Sequence, residues 1–199
     1  GFIEAIAGMY LAGIIRSDGV IDGAMADRSP RIEANGRTYS YLLHKGAPDI
    51  RIQQSDIRAI QLAKAALYAG ARLLMERMGV DTVDRIRLAG AFGSHIDVKY
   101  AMVLGMIPDC SLEYVSSADN AAGTGARIAL LSKASRREIE KRVRKVEKVE
   151  TAIDESFQNH FVDALGIPHA SDAYPILSRA ISLPEPSSAT TGSRRKRRR

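Results

Sequence analysis

Two short glycine clusters carry the chemistry this sequence offers. In Leu88-Ala89-Gly90-Ala91-Phe92-Gly93 the alternation of Ile86 and Leu88 reads as a short strand, and two glycines turn the backbone straight after it. Asp97 then offers a cap for a helix over 98–104. A strand, a turn poor in side chains and a helix start together leave backbone N–H groups open to a nucleotide or another anion. The second cluster, Asn120-Ala121-Ala122-Gly123-Thr124-Gly125-Ala126, also stands between a strand signal and a helix of small residues. Two such loops in one layered domain can converge on one ligand, because small residues let its base or phosphates approach the backbone. A plain structural turn is the competing reading of each.

Other candidates are weaker. Gly123-Thr124-Gly125-Ala126-Arg127-Ile128 invites a dinucleotide reading, with Glu147 and Glu150 near the position of a ribose-binding acid. It fails at Ile128, where close helix–strand packing wants glycine or alanine. Gln61 and Lys64 stand one turn apart among apolar neighbours. They are either a lysine whose stem packs while its amine reaches solvent, or a polar pair aimed at a ligand across a cleft. His44, His95, His160 and His169 have no paired metal-ligand spacing, and Asp56, Asp97 and Asp119 each stand at an expected helix cap. No catalytic nucleophile or carboxylate pair, and no metal site, can be assigned. The single cysteine, Cys110, is expected to be a small buried thiol; alone it forms no internal disulfide and holds no iron–sulfur cluster.

The elements that must position the glycine turns follow from periodicity. An amphipathic helix opens the chain at Phe2 and ends at Gly13. Asn35-Gly36 between 31–34 and 37–43 is a hairpin signal, and 50–53 adds a strand. Ser55 caps a long helix from Asp56 to Met78, stopped by Gly79, with Ile57, Ile60, Ala63 or Lys64, Leu67, Ala71 and Leu74 as its core stripe. Further strands are expected at 86–88, 112–115 and 146–151. Further helices are expected at 98–104, 126–131, 135–145 and 154–165. Strands alternating with helices give an α/β layered domain, with the hairpin as an antiparallel addition.

Of the 199 residues, 45% are hydrophobic and 26% charged, which suits a globular protein, and no apolar run is long enough to span a bilayer. No membrane association is expected, and cysteine usage is compatible with a reducing cytoplasmic compartment. The run Arg194-Arg195-Lys196-Arg197-Arg198-Arg199 accounts for the whole net charge of +6. It lacks interleaved aromatics, so contact with nucleic acid is expected to be nonspecific at most. The first residues lack a signal peptide and open inside a helix, so the chain reads as the C-terminal part of a longer protein.

Three blocks in order, Gln61-Leu62-Ala63-Lys64-Ala65-Ala66, Leu88 to Asp97 and Asn120 to Ser132, carry a family resemblance. The chain resembles, from Gly1 to about Pro168, the C-terminal domain of the ferredoxin-linked reductive activators of corrinoid-dependent proteins. These belong to the acetate and sugar kinase, heat-shock protein and actin ATPase superfamily. The resemblance implies the C-terminal part of an actin-like, ribonuclease H-like ATPase domain over 1–168, incomplete in this chain; outside it, the Ser/Pro/Thr-rich composition of 169–199 and its basic end predict a tail without fixed structure. Gly90, Ala91, Phe92 and Gly93 would approach the nucleoside of ATP, with Gln61 and Lys64 on the adenine side and Asn120, Gly123 and Gly125 in the neighbouring turn. Mg²⁺ ligands and the [2Fe–2S] cluster would lie upstream. The implied partners are a corrinoid protein of a methyl-transfer system, whose Co(II) is reduced to Co(I), and a second copy of the chain. Alone, this piece is expected to neither hydrolyse ATP appreciably nor carry an electron. A non-catalytic docking module with a degenerate nucleotide site is the alternative.

Overall fold

In the computed structural model, which describes residues 1–185, two small sheets share one helical core. The first helix, α1 (Phe2–Leu11), buries Ile3, Ile6, Ala7, Met9 and Tyr10. Strands β1 (Ile32–Asn35), β2 (Thr38–His44) and β3 (Ile50–Gln53) form an antiparallel sheet in that order. The Asn35-Gly36 turn sets the hairpin register, with Asn35 opposite Thr38 and Ile32 opposite Tyr41. The sheet leads directly into α2 (Gln54–Arg77). Its N-terminus is a capping box in which Gln53 and Asp56 bond each other's backbone, two residues earlier than a Ser55 cap would place it.

The second sheet pairs β4 (Ile86–Ala89) with β5 (Val115–Asp119) in parallel. Each strand passes straight into a helix, α3 (Gly90–His95) after β4 and α5 (Ala121–Leu131) after β5. Between them runs α4 (Val98–Val103), capped by Asp97, whose carboxylate accepts from Lys99 N and Tyr100 N. Helix α4 packs against α1 and buries Ala101, Met102, Val103 and Leu104. Cys110 is buried beside it, as its small apolar surroundings predict.

Helix α6 (Lys133–Val143) folds back on α5, and α7 (Glu155–Asp163) packs along α2. Residues 146–151 form no strand. The β pattern of Val146 and Val149 meets no partner edge, so neither ladder bonds nor a buried face reward it. The fold also continues beyond Pro168, which corrects the expected domain boundary. Helix α8 (Pro175–Ala180) docks through Tyr174 and Leu177, 4% and 1% exposed, and Asp109 accepts from Ile176 N and Leu177 N at 2.8 and 3.0 Å. A short Pro-started helix gains its stability from such a cap and from tertiary burial, which local periodicity does not reveal. The basic run Arg194–Arg199 lies outside the described residues.

The buried face of α2 also differs from the expected stripe. Ile57, Gln61, Lys64, Ala65, Tyr68, Ala69 and Leu73 point into the core, whereas Leu67, Leu74 and Met78 are more than half exposed and Leu62 is exposed as well. The helix therefore carries two apolar faces, and the more deeply buried one includes two polar side chains whose partners lie far along the chain.

Candidate functional site

The parallel register brings the two glycine clusters together. Ile86 pairs with Val115 and Leu88 with Ser117; then the register slips so that Ala89 stands opposite Asp119. Parallel strands end at the same edge, so Gly90 and Asn120 leave the sheet side by side. The carboxyl edge of parallel strands is where open α/β sheets receive ligands. Gly90, at φ +89°, turns the chain out of β4 in a backbone conformation that side-chain-bearing residues rarely adopt. Asp119 does the same for β5 at φ +46°. Its N–H donates to Ser117 Oγ at 3.0 Å, and its Oδ1 accepts from the same hydroxyl at 3.1 Å. The left-handed conformation is thus held locally, in a residue type that tolerates it.

The segment 90–95 is helical rather than an open turn. Ser94 Oγ donates to Gly90 O and Ala91 O, and His95 Nδ1–H donates to Ala91 O at 2.8 Å. These side-chain bonds close a turn and a half of helix that the glycine content alone argues against. Phe92 belongs to this helix by its backbone; its side chain lies outside the described residues. Helix α5 likewise begins five residues earlier than expected. Asn120 Oδ1 accepts from Gly123 N at 2.8 Å, which makes Asn120 the cap and puts Gly123 and Gly125 inside the first turns.

The four glycines then divide by role. A Cβ on Gly93 would stand 2.8 Å from Leu88 C and 3.0 Å from Leu88 O, so this glycine lets α3 lie directly on β4. A Cβ on Gly123 would strike the Asn120 amide that caps its own helix. Gly90 and Gly125 have open space where a side chain would project. At Gly90 the positive φ asks for glycine even so.

Gln61 and Lys64 do not join this edge. Lys64 is 1% exposed, so its amine does not reach solvent. Its Nζ donates to Gly166 O, and to Pro168 O at 2.8 Å. Gln61 Nε2 donates to Leu165 O at 2.8 Å and to Asp18 O at 3.1 Å. Both side chains spend their donors on backbone carbonyls, pinning the 165–168 loop to α2. Ile167 N adds a bond to Ser17 O at 2.8 Å. Burial lowers the Lys64 pKa to about 7. The neutral amine fits this site because it keeps two N–H donors for two carbonyls, while the ammonium carries a third without a partner here. Next to it Tyr68 OH donates to Asp172 Oδ2 at 2.6 Å, and burial pushes the phenol well up. Sequence reasoning missed this latch because residues 102 to 104 positions apart make it, with no local signal at Gly166 or Asp172.

With this geometry in place, comparison with known proteins is informative. A family model described as the C-terminal domain of RACo, the ASKHA domain, matches residues 1–178. The chain belongs to that family. A corrinoid activation enzyme, RamQ, from Eubacterium limosum is 39% identical over 145 residues, a match taking in 67% of this chain and 24% of the relative. The solved structure of a reductive activator for corrinoid,iron-sulfur protein superposes with a TM-score of 0.73 at 32% identity, covering 86% of this chain and 28% of that one. This RACo-type ASKHA domain therefore spans about a quarter of the length of the relatives it matches. The α/β fold and actin-like class expected from the three sequence blocks agree with both matches.

Proposed function

We propose that this chain is the nucleotide-binding lobe of an iron–sulfur protein that couples ATP binding and hydrolysis to the reduction of Co(II) corrinoid proteins to Co(I). One observation carries the nucleotide part. Gly90 holds open space where the chain leaves β4 beside the end of β5, and Gly125 holds open space in the second turn of α5, while a Cβ on Gly93 or Gly123 would meet neighbouring atoms. Open backbone there suits the approach of a flat nucleoside, with Gly90, Ala91 and Gly125 as the contacting residues and Asn120 fixing the helix start. Two RACo-family relatives named as corrinoid activators support the rest of the reading.

ATP, when bound, supplies the free energy of phosphoryl transfer for an uphill reduction. Such transfer needs positioned phosphates, Mg²⁺ and an oriented water. This chain offers the nucleoside side alone. Asp97 Oδ1 caps α4 and Asp119 Oδ1 closes its own turn, so both carboxylates have structural roles here. A [2Fe–2S] cluster does not fit this chain either, since it needs four thiolates or their equivalents and Cys110 is the single cysteine, fully buried. Phosphate and metal ligands, and the cluster, therefore belong to another part of the activator.

The uncovered apolar surface agrees with a half-site. Leu62, Leu67, Leu74 and Met78 of α2 are exposed, α5 buries no residue, and a two-stranded parallel sheet is rarely stable uncovered. The same surface supports the second reading, a docking module without nucleotide chemistry. A corrinoid protein and a second copy of this chain are the proposed partners, in the cytoplasm; no described helix is long and apolar enough to cross a membrane.

The two readings separate in the intact activator carrying Ala91→Leu or Gly125→Val, with ATP affinity measured by calorimetry. The nucleotide reading expects each to weaken binding roughly tenfold or more while circular dichroism is retained. Unchanged affinity in both would leave the docking module as the surviving account.

A further inference from the structure

The first turns of α2 carry an arginine, Arg58, with no polar partner among the described residues. Gln54, Arg58 and Gln61 share one face of the helix. Gln54 Oε1 accepts from Ile21 N at 2.9 Å and its Nε2 donates to Gly19 O at 2.7 Å. Gln61 Nε2 reaches Asp18 O. Both glutamines thus hold the 16–23 loop on the helix. Arg58, between them, has no hydrogen bond or ion pair to any described residue. The loop, this helical face and the Asn35-Gly36 hairpin line a pocket of about 430 Å³. Its walls bring Arg16 and Arg37 to the same space as Arg58, with Tyr39, Val20 and Ile21 as the apolar side.

The charges in this wall do not balance. Asp18 is its one carboxylate, and it is already occupied: Arg16 donates to Asp18 Oδ2 at 3.0 Å, and Val20 N donates to Oδ1 at 3.0 Å. Arg37, like Arg58, meets no carboxylate among the described residues. Two arginines without a carboxylate partner among the described residues therefore line one half-open pocket. Each guanidinium fork matches the spacing of oxyanion oxygens, and together they neutralise a dianion, whereas a monocarboxylate would leave one cation unmatched. The apolar side is fixed in place. A Cβ on Gly23 would stand 2.3 Å from the Tyr39 ring, so the glycine backbone seats that ring directly. A preset aromatic wall beside a dianion subsite suits an organic group attached to the anion.

We infer that this pocket binds the phosphate monoester of a small molecule, with Arg37 and Arg58 clamping the phosphate and Tyr39 contacting the ester group. It shares no residue with the turns after β4 and β5, so the inference stands independently of the nucleotide reading.

The test is titration of the full chain with inorganic phosphate and with phenyl phosphate, at an ionic strength that screens loose surface pairing. NMR of the arginine Nε–Hε groups reports the site. The expected result is saturable shifts at Arg37 and Arg58 and several-fold tighter binding of phenyl phosphate. Arg37→Ala/Arg58→Ala should lose roughly tenfold or more in affinity. Both side chains are exposed, so the variant should keep the wild-type circular dichroism. Shifts confined to Arg194–Arg199, or equal affinity in the double variant, would overturn the site. Equal binding of the two probes would overturn the ester contact at Tyr39. Acetate binding as tightly as phosphate would overturn the dianion argument.

Discussion

The Lys64 latch makes stability depend on pH in a window where few other groups titrate. In the folded chain burial lowers the Lys64 pKa to about 7, from an unfolded value of 10.5. Between these values the unfolded chain holds a proton that the folded chain has released, so raising the pH favours folding. The burial cost is full below pH 7 and fades toward pH 10.5. From pH 7 to pH 9 the expected gain in unfolding free energy is about 2 kcal/mol, following ~1.4 kcal/mol per unit less the fraction already deprotonated at pH 7. Guanidinium denaturation followed by far-ultraviolet circular dichroism at several pH values measures it, since the chain has no tryptophan to report by fluorescence. Lys64→Met removes the titrating group and keeps the stem volume. Subtracting its profile cancels every other group, and the difference should carry the whole rise. A Lys64→Met profile as steep as wild type, or a flat wild-type profile, would refute the account of a buried amine held by Gly166 O and Pro168 O.

Three further outcomes test the packing around the candidate site and the C-terminal helix. Gly93→Ala should cost about 1–3 kcal/mol in chemical denaturation, because its Cβ meets Leu88 backbone atoms that a rotamer change cannot move. Asp109→Ala should cost about 1–2 kcal/mol by removing the acceptor for two N–H groups at the start of α8, and amide exchange should accelerate there first. Tyr174→Phe removes a buried donor to Ile107 O at 3.0 Å, and the orphaned carbonyl should cost about 1–3 kcal/mol. An effect within experimental error in any of these would show that the contact relaxes without loss.

Much of the fold follows from residue pattern. Asn35-Gly36 marks a hairpin because its turn accepts positive φ, and the register obeys it. Asp97 caps α4 as its position before an apolar run suggests. The start of α5 is less legible. Glycines at 123 and 125 argue against helix, and only Asn120 reaching Gly123 N makes the earlier start favourable. The stripe on α2 misleads because two faces are apolar, and sequence spacing cannot tell which of them meets a partner. Lys64 points inward for a reason 102 residues away, in the carbonyl of Gly166. For the candidate site, the two glycine turns are visible as motifs, but which glycines serve the fold and which stay open is not.

The sequence by itself determined local geometry: where the chain turns, that Asp97 caps a helix, and that Gly90 and Asn120 each follow a strand. It also determined, through three ordered blocks, the family to which the chain belongs. The tertiary structure decided neighbours. It placed the two turns on one edge through a parallel register, buried Gln61 and Lys64 against the 165–168 loop, and left Arg37 and Arg58 beside one pocket without a partner among the described residues. The physical reason is range. Turn and cap preferences act within a few residues, whereas burial, charge balance and carbonyl satisfaction depend on segments that meet only when the chain has folded.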